Sequence, residues 1–491
     1  MKKEFYGIDL GTTYSCISVV DSDDFVRVIP NKKGQMVTPS VVHFDDNNNI
    51  IVGQLAKSHL VDKPESTVAL IKREMSNKDF TVTINGKTYD PIDISSFILK
   101  HLVDFANEKR KNEEGKDPIY DVVITVPAYF GNLENTRTKE AGKKAGLNVL
   151  QLIDEPTAAA MSYGQKQSSN KKVLVYDLGG GTFDVSILSF KGGIMNVDST
   201  RGNHHLGGAD WDIALAQLAM RKLGLSYDEM SEKEKKTILS VAEEAKVELT
   251  ELNYATLQFN YKGIRSVEVT REEFERETAS LLNTTILLVE EALAAANLEV
   301  NEIDEIILVG GSSLMTMVGD MIRENFKIDP KLVDPHMAVS KGAALTALQK
   351  DDPERVAGGI AIGVRKGSCG YGLKVTNVEL NRELCFSLIK RDDNLITKGS
   401  YEFATVADGQ TQVQFVFYET RSNLEWKEID ANEEIKGRED YVSWGKPVPA
   451  GTTVKVNVER DENGCVSINA ECAGAKGEFH IATGASKLAT R

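Results

Sequence analysis

The sequence has 491 residues, which is too long for one compact hydrophobic core and predicts two to four domains. Its 58 Lys and Arg against 73 Asp and Glu leave a net charge of -15, which repels phosphate backbones and anionic membranes. Nucleic acid and membranes are therefore not expected as partners. Five cysteines without a C-x-x-C pair argue against a disulfide framework or a structural zinc site. No apolar run reaches 18 residues, so we predict a soluble, cytoplasmic protein.

Up to about residue 350, short apolar runs alternate with helical patterns, which is typical of α/β domains. The runs at 121–127, 172–180 and 305–311 are rich in β-branched residues and end at Pro or Gly, which predicts buried strands. Capping boxes at 231–234 and 270–273 mark the starts of two helices between these runs.

From about residue 370 the apolar period falls to two. Val413, Phe415 and Phe417 alternate with polar residues, and so does a later series at 454, 456 and 458. This pattern predicts a small all-β domain. The stretch "KDDPERVAGG" at 350–359 carries charges, a proline and a glycine pair, as a linker does. The predicted division is 1–350, a linker at 351–365, and a β-domain at 366–491.

One short pattern occurs twice. "YGIDLGTTYSC" at 6–16 and "VLVYDLGGGTFDVS" at 173–186 both end an apolar strand in Asp-Leu-Gly, followed by threonines. Glycine lets backbone N–H groups converge on an anion, and the aspartate suits a hydrated divalent metal. The loops 9–13 and 177–182 are therefore predicted to hold a polyphosphate between them, with Mg²⁺ between Asp9 and Asp177.

A third glycine pair, in "LVGGSS" at 308–313, also closes an apolar strand and suits the flat face of a nucleoside. The G-x-x-x-x-G-K-[ST] and strand-linked G-x-G-x-x-G fingerprints do not occur. The pattern is thus neither that of a P-loop nor that of a Rossmann fold.

Ten segments follow one another in the order seen in the 70-kDa heat-shock (DnaK-type) chaperones. They are "YGIDLGTTYSCISVV", "TPSVVHF", "VGQLAK", "ALIKRE", "VVITVPAYF", "LIDEPTAAAMSYG", "YDLGGGTFDVSIL", "HHLGGADWD", "AEEAKVELT" and "ILVGGSS". The sequence resembles this family over roughly residues 4–348. The resemblance implies an α/β actin-like ATPase fold, with two lobes around a nucleotide cleft, followed by a small all-β sandwich domain.

The resemblance also implies roles for individual residues. Lys72 would reach the γ-phosphate, and Glu155 and Asp184 would position the attacking water. With Thr182 they form the predicted catalytic set. Asp9 and Asp177 would orient Mg²⁺ through its water shell. The residues predicted to contact the nucleotide are Gly11, Thr12, Thr13, Tyr14, Gly179, Gly180, Gly181, Thr182, Gly207, Gly208, Glu243, Lys246, Thr250, Gly310, Gly311, Ser312 and Leu314.

For Glu243, Lys246 and Thr250, the spacing i, i+3, i+7 places the three on one helix face, which suits ribose and adenine contacts. An ordinary exposed helix face has the same spacing, so that alternative stays open. Leu314 stands where the family carries an arginine on the base, so apolar contact would replace cation–π stacking there.

Beyond residue 350 the resemblance is weaker. "YEFATVADGQTQVQFVFYE" resembles part of the family's peptide-gripping sandwich, which implies a peptide groove lined by Phe403, Val406, Val413 and Phe415. The alternative is that these four residues form the core of the sandwich.

Three departures from the family bear on mechanism. Only ten residues follow "GEFHI", too few for the helical lid of the family, since a helix averages about 11–12 residues. The switch proline is present as Pro127, but its arginine partner aligns with Asn135, and Arg137 lies two positions away. Coupling between the domains would have to pass through Val356, Ile360 and Ile362 in the altered linker.

The sequence predicts an ATP-dependent chaperone and a slow ATPase, with ATP or ADP and Mg²⁺ as cofactors and K⁺ as a further candidate ion. Its predicted partners are unfolded or extended client polypeptides, with a J-domain co-chaperone and a nucleotide-exchange factor implied by resemblance only. One alternative is a nucleotide-gated scaffold for a single dedicated partner with negligible turnover. The other is a small-molecule kinase of the actin superfamily.

Overall fold

The structure is a computed structural model that describes residues 3–115, 117–164, 170–261, 263–356, 360–377, 379–430 and 440–480. Within these ranges, no helix combines the length and the apolar character that crossing a bilayer requires. The residues behind the prediction of a missing lid, 482–491, lie outside the described part.

The first third of the chain folds around a sheet of mixed direction. Its helices are α1 (Gln54–Asp62), α2 (Pro91–Lys109), α3 (Asn132–Lys144) and α4 (Glu155–Gly164). Its strands are β1 (Phe5–Asp9), β2 (Tyr14–Val20), β3 (Val26–Val28), β4 (Thr38–Pro39), β5 (Val42–Phe44), β6 (Ile50–Val52), β7 (Thr67–Val68), β8 (Val82–Ile84), β9 (Lys87–Tyr89), β10 (Asp121–Val126) and β11 (Asn148–Asp154). The main sheet has the order β11-β10-β1-β2-β3, and we call this part lobe I.

The second part repeats that topology. Its helices are α5 (Gly208–Lys222), α6 (Glu232–Glu251), α7 (Arg271–Ala295), α8 (Thr316–Phe326) and α9 (Ala338–Asp351). Its strands are β12 (Lys171–Leu178), β13 (Phe183–Lys191), β14 (Ile194–Asn203), β15 (Tyr254–Tyr261), β16 (Ile264–Thr270), β17 (Glu305–Val309), β18 (Lys331–Leu332) and β19 (Ala361–Ile362). The main sheet, which we call that of lobe II, has the order β18-β17-β12-β13-β14-β19.

The two main sheets explain the repeated sequence. In each, an antiparallel hairpin (β1–β2 or β12–β13) lies beside a parallel strand (β10 or β17), so the two Asp-Leu-Gly loops occupy equivalent hairpin turns. The predicted buried strands at 121–127, 172–180 and 305–311 are confirmed as β10, β12 and β17. Both capping boxes are confirmed at the starts of α6 and α7.

The last part is the predicted all-β domain, which we call the β-domain. Its strands are β20 (Gly370–Asn377), β21 (Arg382–Ile389), β22 (Thr397–Ala404), β23 (Gln410–Phe415), β24 (Phe417–Thr420), β25 (Trp426–Lys427), β26 (Asp440–Val448), β27 (Thr453–Arg460), β28 (Val466–Cys472) and β29 (Ala475–His480). The sheets β24-β20-β21-β25 and β22-β27-β28-β29 share one core, to which β27 contributes every second residue.

Candidate nucleotide-binding site

The two Asp-Leu-Gly loops meet between the lobes. A side-chain carbon built on Gly180 would lie 1.7 Å from Thr13 Oγ1, and one on Gly181 would lie 2.3 Å from Thr12 Cγ2. Glycine is therefore required at both positions, because any side chain would push the loops apart. Gly207 packs against the same loop, since a side-chain carbon built on it would lie 2.6 Å from the Gly181 backbone.

Four carboxyl groups lie behind these loops. Asp177, Asp184 and Glu155 are buried, and Asp9 accepts a hydrogen bond from Thr125 Oγ1 at 2.9 Å. Burial, followed by the charge of Glu155, raises the pKa of Asp9 to about 7. The same two causes hold the pKa values of Asp177 and Asp184 well above their usual range.

The cation of this cluster is Lys72, which lies in a short 3-10 turn and is only 4% exposed. Its Nζ forms an ion pair with Glu155 Oε1 at the start of α4. A buried ammonium group without a nearby anion is energetically costly, so we expect the pair to persist unless another anion replaces Glu155.

This donor set fits a hydrated divalent cation. Four carboxyl groups share one lysine, and burial, followed by the charge of Glu155, raises the pKa values of Asp9 and Asp177, so a bound cation would stabilise their ionised forms. Within the described ranges, no three His, Cys, Asp or Glu side chains are placed to ligate one ion directly. Water-mediated contact from Asp9 and Asp177 stays the prediction.

Asp184 is fixed from lobe I. Its Oδ1 accepts the backbone N–H of Tyr129 at 3.0 Å. The next residue, Phe130, lies under Lys72 Nζ, which is 5.8 Å from the ring centroid. The His204 ring packs against the rings of Tyr129 and Phe130. Burial lowers the pKa of His204 to about 3, so this imidazole is neutral. The segment 127–131 thus contacts both Asp184 and Lys72.

The predicted nucleoside side lies where α6 passes the start of α5. Lys246 is buried, and its Nζ lies 2.7 Å from Asp212 and donates to the Gly208 carbonyl at 2.9 Å. A carbon built on Gly208 would lie 2.3 Å from Ser312 Oγ, which brings the third glycine loop to the same place. Glu243 reaches across the cleft to Lys57 of α1 at 2.7 Å.

Other residues predicted to contact the nucleotide lie at the edge of the cleft between the lobes. Gly310 has φ +80°, and a carbon built on it would lie 2.4 Å from the Leu178 carbonyl, so glycine is required there. Gly311 lies against the His336 ring. Leu314 is 38% exposed. Three further residues make local hydrogen bonds: the Thr250 hydroxyl to Val247 O, the Tyr14 hydroxyl with Lys57 Nζ, and the Gly11 carbonyl with Ser40 Oγ.

Sequence reasoning missed several residues of this region. Arg73 donates to the Gly181 carbonyl at 2.9 Å and pairs with Asp210 at 2.6 Å, so it ties lobe I to the lobe II loop. In the sequence, its position next to Lys72 was the only sign that Arg73 belongs to the site. Thr125 and Lys57 bind residues that are far from them in the sequence, so no local pattern could indicate their roles.

The β-domain is docked on the lobes. Residues 361–364 of the predicted linker run along the lobe II sheet, where β19 pairs with β14 in parallel, and Ile360 is buried. The Asn463 side chain accepts the N–H of Leu152, and the Val466 N–H donates to Asn132 Oδ1 at 2.6 Å. The side chain of Val356 lies outside the described part.

The contacts around the expected switch proline differ from the proline–arginine pairing that the resemblance implies. Pro127 follows β10, and its carbonyl accepts the Phe130 N–H at 3.1 Å. Asn135 packs against Gly464 of the β-domain. Arg137 points elsewhere: it donates to the carbonyls of Met75, Asn77 and Lys78, at the end of the turn that carries Lys72 and just beyond it.

A largely buried ion pair links the β-domain to lobe II. Arg201 on β14 binds Asp392 through two hydrogen bonds of 2.8 and 3.0 Å, and the two side chains are 7% and 18% exposed. A bidentate pair of this kind is stronger than an exposed ion pair.

Removing this pair should loosen docking. We expect Arg201→Met to cost about 2–5 kcal/mol of docking free energy, because Asp392 stays desolvated without its partner. Small-angle X-ray scattering should show a larger radius of gyration for this variant. Lys398→Met, which removes an exposed pair inside the β-domain, is the control and should leave the scattering unchanged. An unchanged radius for Arg201→Met would contradict the expectation.

The four predicted groove residues differ in exposure. Phe415 is 2% exposed and stacks on Phe417 in the core, which agrees for this residue with the alternative of a sandwich core. Phe403 and Val413 are half-buried against that core, and Val406 is 70% exposed. The groove itself stays a prediction.

Comparison with known proteins agrees with the resemblance. A family model described as Hsp70 protein matches residues 5–82 and 74–490. The chain is 38% identical over 504 residues to "Chaperone protein DnaK" of Thermotoga petrophila and of Thermotoga maritima, covering 99% of this chain and 82% of each relative. The DnaK of Thermosipho melanesiensis is 37% identical over 503 residues, covering 99% and 81%.

Hsp70 proteins are ATP-hydrolysing chaperones that combine an actin-like ATPase fold with a β-sandwich, and the sheets described above have this arrangement. The matched family model and the identity to three DnaK chaperones cover nearly the whole sequence. The chain therefore belongs to the Hsp70 family.

Proposed function

We propose that this protein is an ATP-dependent chaperone that binds and hydrolyses Mg-ATP between its lobes and holds extended apolar polypeptide segments in the β-domain. The observation that carries the proposal is the meeting of the two glycine loops, at Gly180 and Thr13, in front of a buried carboxyl cluster. We further propose the division into 1–350, 351–365 and 366–491, and a cytoplasmic location like that of DnaK.

In the proposed reaction, Thr12, Thr13 and the loop 179–182 hold the β- and γ-phosphates. Asp9 and Asp177 hold Mg²⁺ through water, and the ion, when bound, neutralises charge on the phosphates. Lys72 exchanges Glu155 for the γ-phosphate, because its buried charge needs an anion at every stage.

Once Lys72 has moved, the Glu155 carboxylate is free to accept a hydrogen bond from the attacking water, together with Asp184. The Tyr129 N–H keeps Asp184 in one orientation. Hydrolysis by this route rests on position and charge and needs no covalent intermediate. On the nucleoside side, Lys246 and Ser312 contact the sugar, and Leu314 packs on the base.

The test is steady-state ATP turnover of the purified protein with and without a saturating extended apolar peptide. We expect slow turnover that the peptide stimulates, and a loss of at least about tenfold in Thr182→Ala, because a phosphate-loop donor is removed. Turnover that ignores the peptide would favour the scaffold for one dedicated partner. Turnover unchanged in Thr182→Ala would contradict the assignment of the site.

J-domain co-chaperones and nucleotide-exchange factors are proposed partners by relation to the family. Transfer of phosphate to a sugar or an acid would instead favour the small-molecule kinase.

A further inference from the structure

Two residues of the β-domain cap the start of helix α3 in lobe I. Gly131 is the N-cap and offers no side chain to the helix. The backbone N–H of Asn132 donates instead to the Tyr371 hydroxyl at 2.8 Å and to Glu419 Oε2 at 3.3 Å. A carbon built on Gly131 would lie 2.3 Å from both Glu419 oxygens, so the carboxylate lies directly on the glycine. Negative charge at this end of a helix is favourable.

A second carboxyl group lies at the same place. Glu134, in the first turn of α3, is 5% exposed, and its carboxyl group accepts a backbone hydrogen bond from Gly131. Two carboxylates thus flank Gly131, one from each side of the interface. Burial, followed by the charge of Glu419, raises the pKa of Glu134 to about 7.

The cations nearby do not neutralise both groups. Arg421 Nη2 lies 3.4 Å from Glu419 Oε1, but its guanidinium also donates to the carbonyls of Ser368 and Tyr129 and stacks on the Tyr129 ring at 3.8 Å. Arg391 and Arg460 are occupied by the carbonyls of Arg421 and Cys369, among others.

The remaining titratable groups that face the pair keep one charge state near neutral pH. Burial raises the pKa of Cys369 to about 11 and that of Tyr371 well above its usual value, and burial lowers that of His204 to about 3. The arginines stay protonated. Glu134 is therefore the group of this cluster that changes charge around neutral pH.

We propose that Glu134, beside the Glu419 carboxylate, binds a proton when the β-domain is docked on lobe I, so that docking takes up a proton from solvent. When the domains separate, water reaches Glu134 and its carboxyl group ionises. The interface between lobe I and the β-domain is then more stable at acid pH than at neutral pH. The inference concerns docking alone and does not depend on whether ATP is hydrolysed.

The sign follows from the two states. Glu134 has its ordinary pKa of 4.5 when separated and a pKa of about 7 when docked, so the docked state binds more protons between these values. Docking is strongest at acid pH, weakens as the pH rises from about 4.5 to about 7, and changes little above that.

Hydrogen–deuterium exchange on the full chain tests the proposal. The backbone amides of Asn132 and Val466 both donate across the interface, so their protection reports its opening. After correction for intrinsic exchange, we expect the opening constant to rise at least about tenfold between pH 5.5 and pH 8.5. Amides within β10 provide the internal reference and should show no such rise.

Three variants identify the groups responsible. Glu134→Gln removes the titrating carboxyl group and keeps its shape, so the rise with pH should shrink to less than about twofold. Glu419→Gln removes the neighbouring charge but leaves Glu134 buried, so the rise should become smaller without disappearing. Asp392→Asn breaks the separate contact with Arg201, so opening should increase at every pH with the rise retained. A flat profile in the unmodified protein, or a rise that persists in Glu134→Gln, would overturn the proposal.

Discussion

Replacing Lys72 by methionine should strongly reduce ATP turnover and destabilise the protein at the same time. We expect a loss of about 100- to 1,000-fold in kcat, because a cation aimed at the transferred phosphate is lost. We also expect the free energy of unfolding to fall by about 3–5 kcal/mol without nucleotide, because Glu155 is left buried and unpaired.

The double variant Lys72→Met/Glu155→Gln separates the two effects. Without the unpaired charge, it should recover most of the unfolding free energy and none of the turnover. The control is Lys100→Met, which removes an exposed ion pair with Asp104 and should cost less than about 1 kcal/mol. Urea denaturation and an ATP hydrolysis assay measure both quantities. A single variant as stable as the unmodified protein would show that Glu155 does not need Lys72.

Replacing Gly342 by alanine should be among the most destabilising single changes in the chain. Gly342 lies in α9, and a carbon built on it would lie 1.6 Å from the backbone carbonyl oxygen of Ala158 in α4. Backbone atoms cannot move aside as a side chain does, so the two helices must separate. We expect a loss of about 3 kcal/mol or more in the free energy of unfolding.

The Gly342→Ala substitution should also disturb the nucleotide site, because α9 packs on β1, which leads into the loop 9–13. A carbon built on Gly7 would lie 2.1 Å from the Ala344 nitrogen. ATP affinity should therefore fall in Gly342→Ala.

Gly319→Ala in α8 is the matched control. There the new carbon would meet only the end of the Arg323 side chain at 3.3 Å, and alanine favours helix by up to about 1 kcal/mol. Urea denaturation should place the two variants on opposite sides of the unmodified protein. Equal stabilities would contradict the close packing of α4 and α9.

Local patterns in the sequence were sufficient for most elements. The β-branched runs predicted β10, β12 and β17, because strands buried on both faces are apolar throughout. The alternation at 454, 456 and 458 predicted β27. The run around Val413 was less regular, since it divides at Val416 into β23 and β24, which belong to different sheets.

The candidate site was predictable only in part. The repeated Asp-Leu-Gly signal indicated the two loops that meet at Thr13 and Gly180. Arg201 and Asp392 are 191 positions apart, and Glu134 and Glu419 lie still further apart along the sequence, so no periodicity or motif joins the members of either pair. The docking of β19 was missed because a strand of two residues leaves no pattern.

The place of β19 has a consequence for the separated state. While docked, residues 361–364 occupy the outer edge of the lobe II sheet and satisfy backbone groups of β14 near Met195. If the linker leaves, that edge becomes an open row of unpaired N–H and C=O groups, which is a template for another chain. Undocked molecules should then associate with one another as concentration rises, so keeping the domains together also keeps the protein monodisperse.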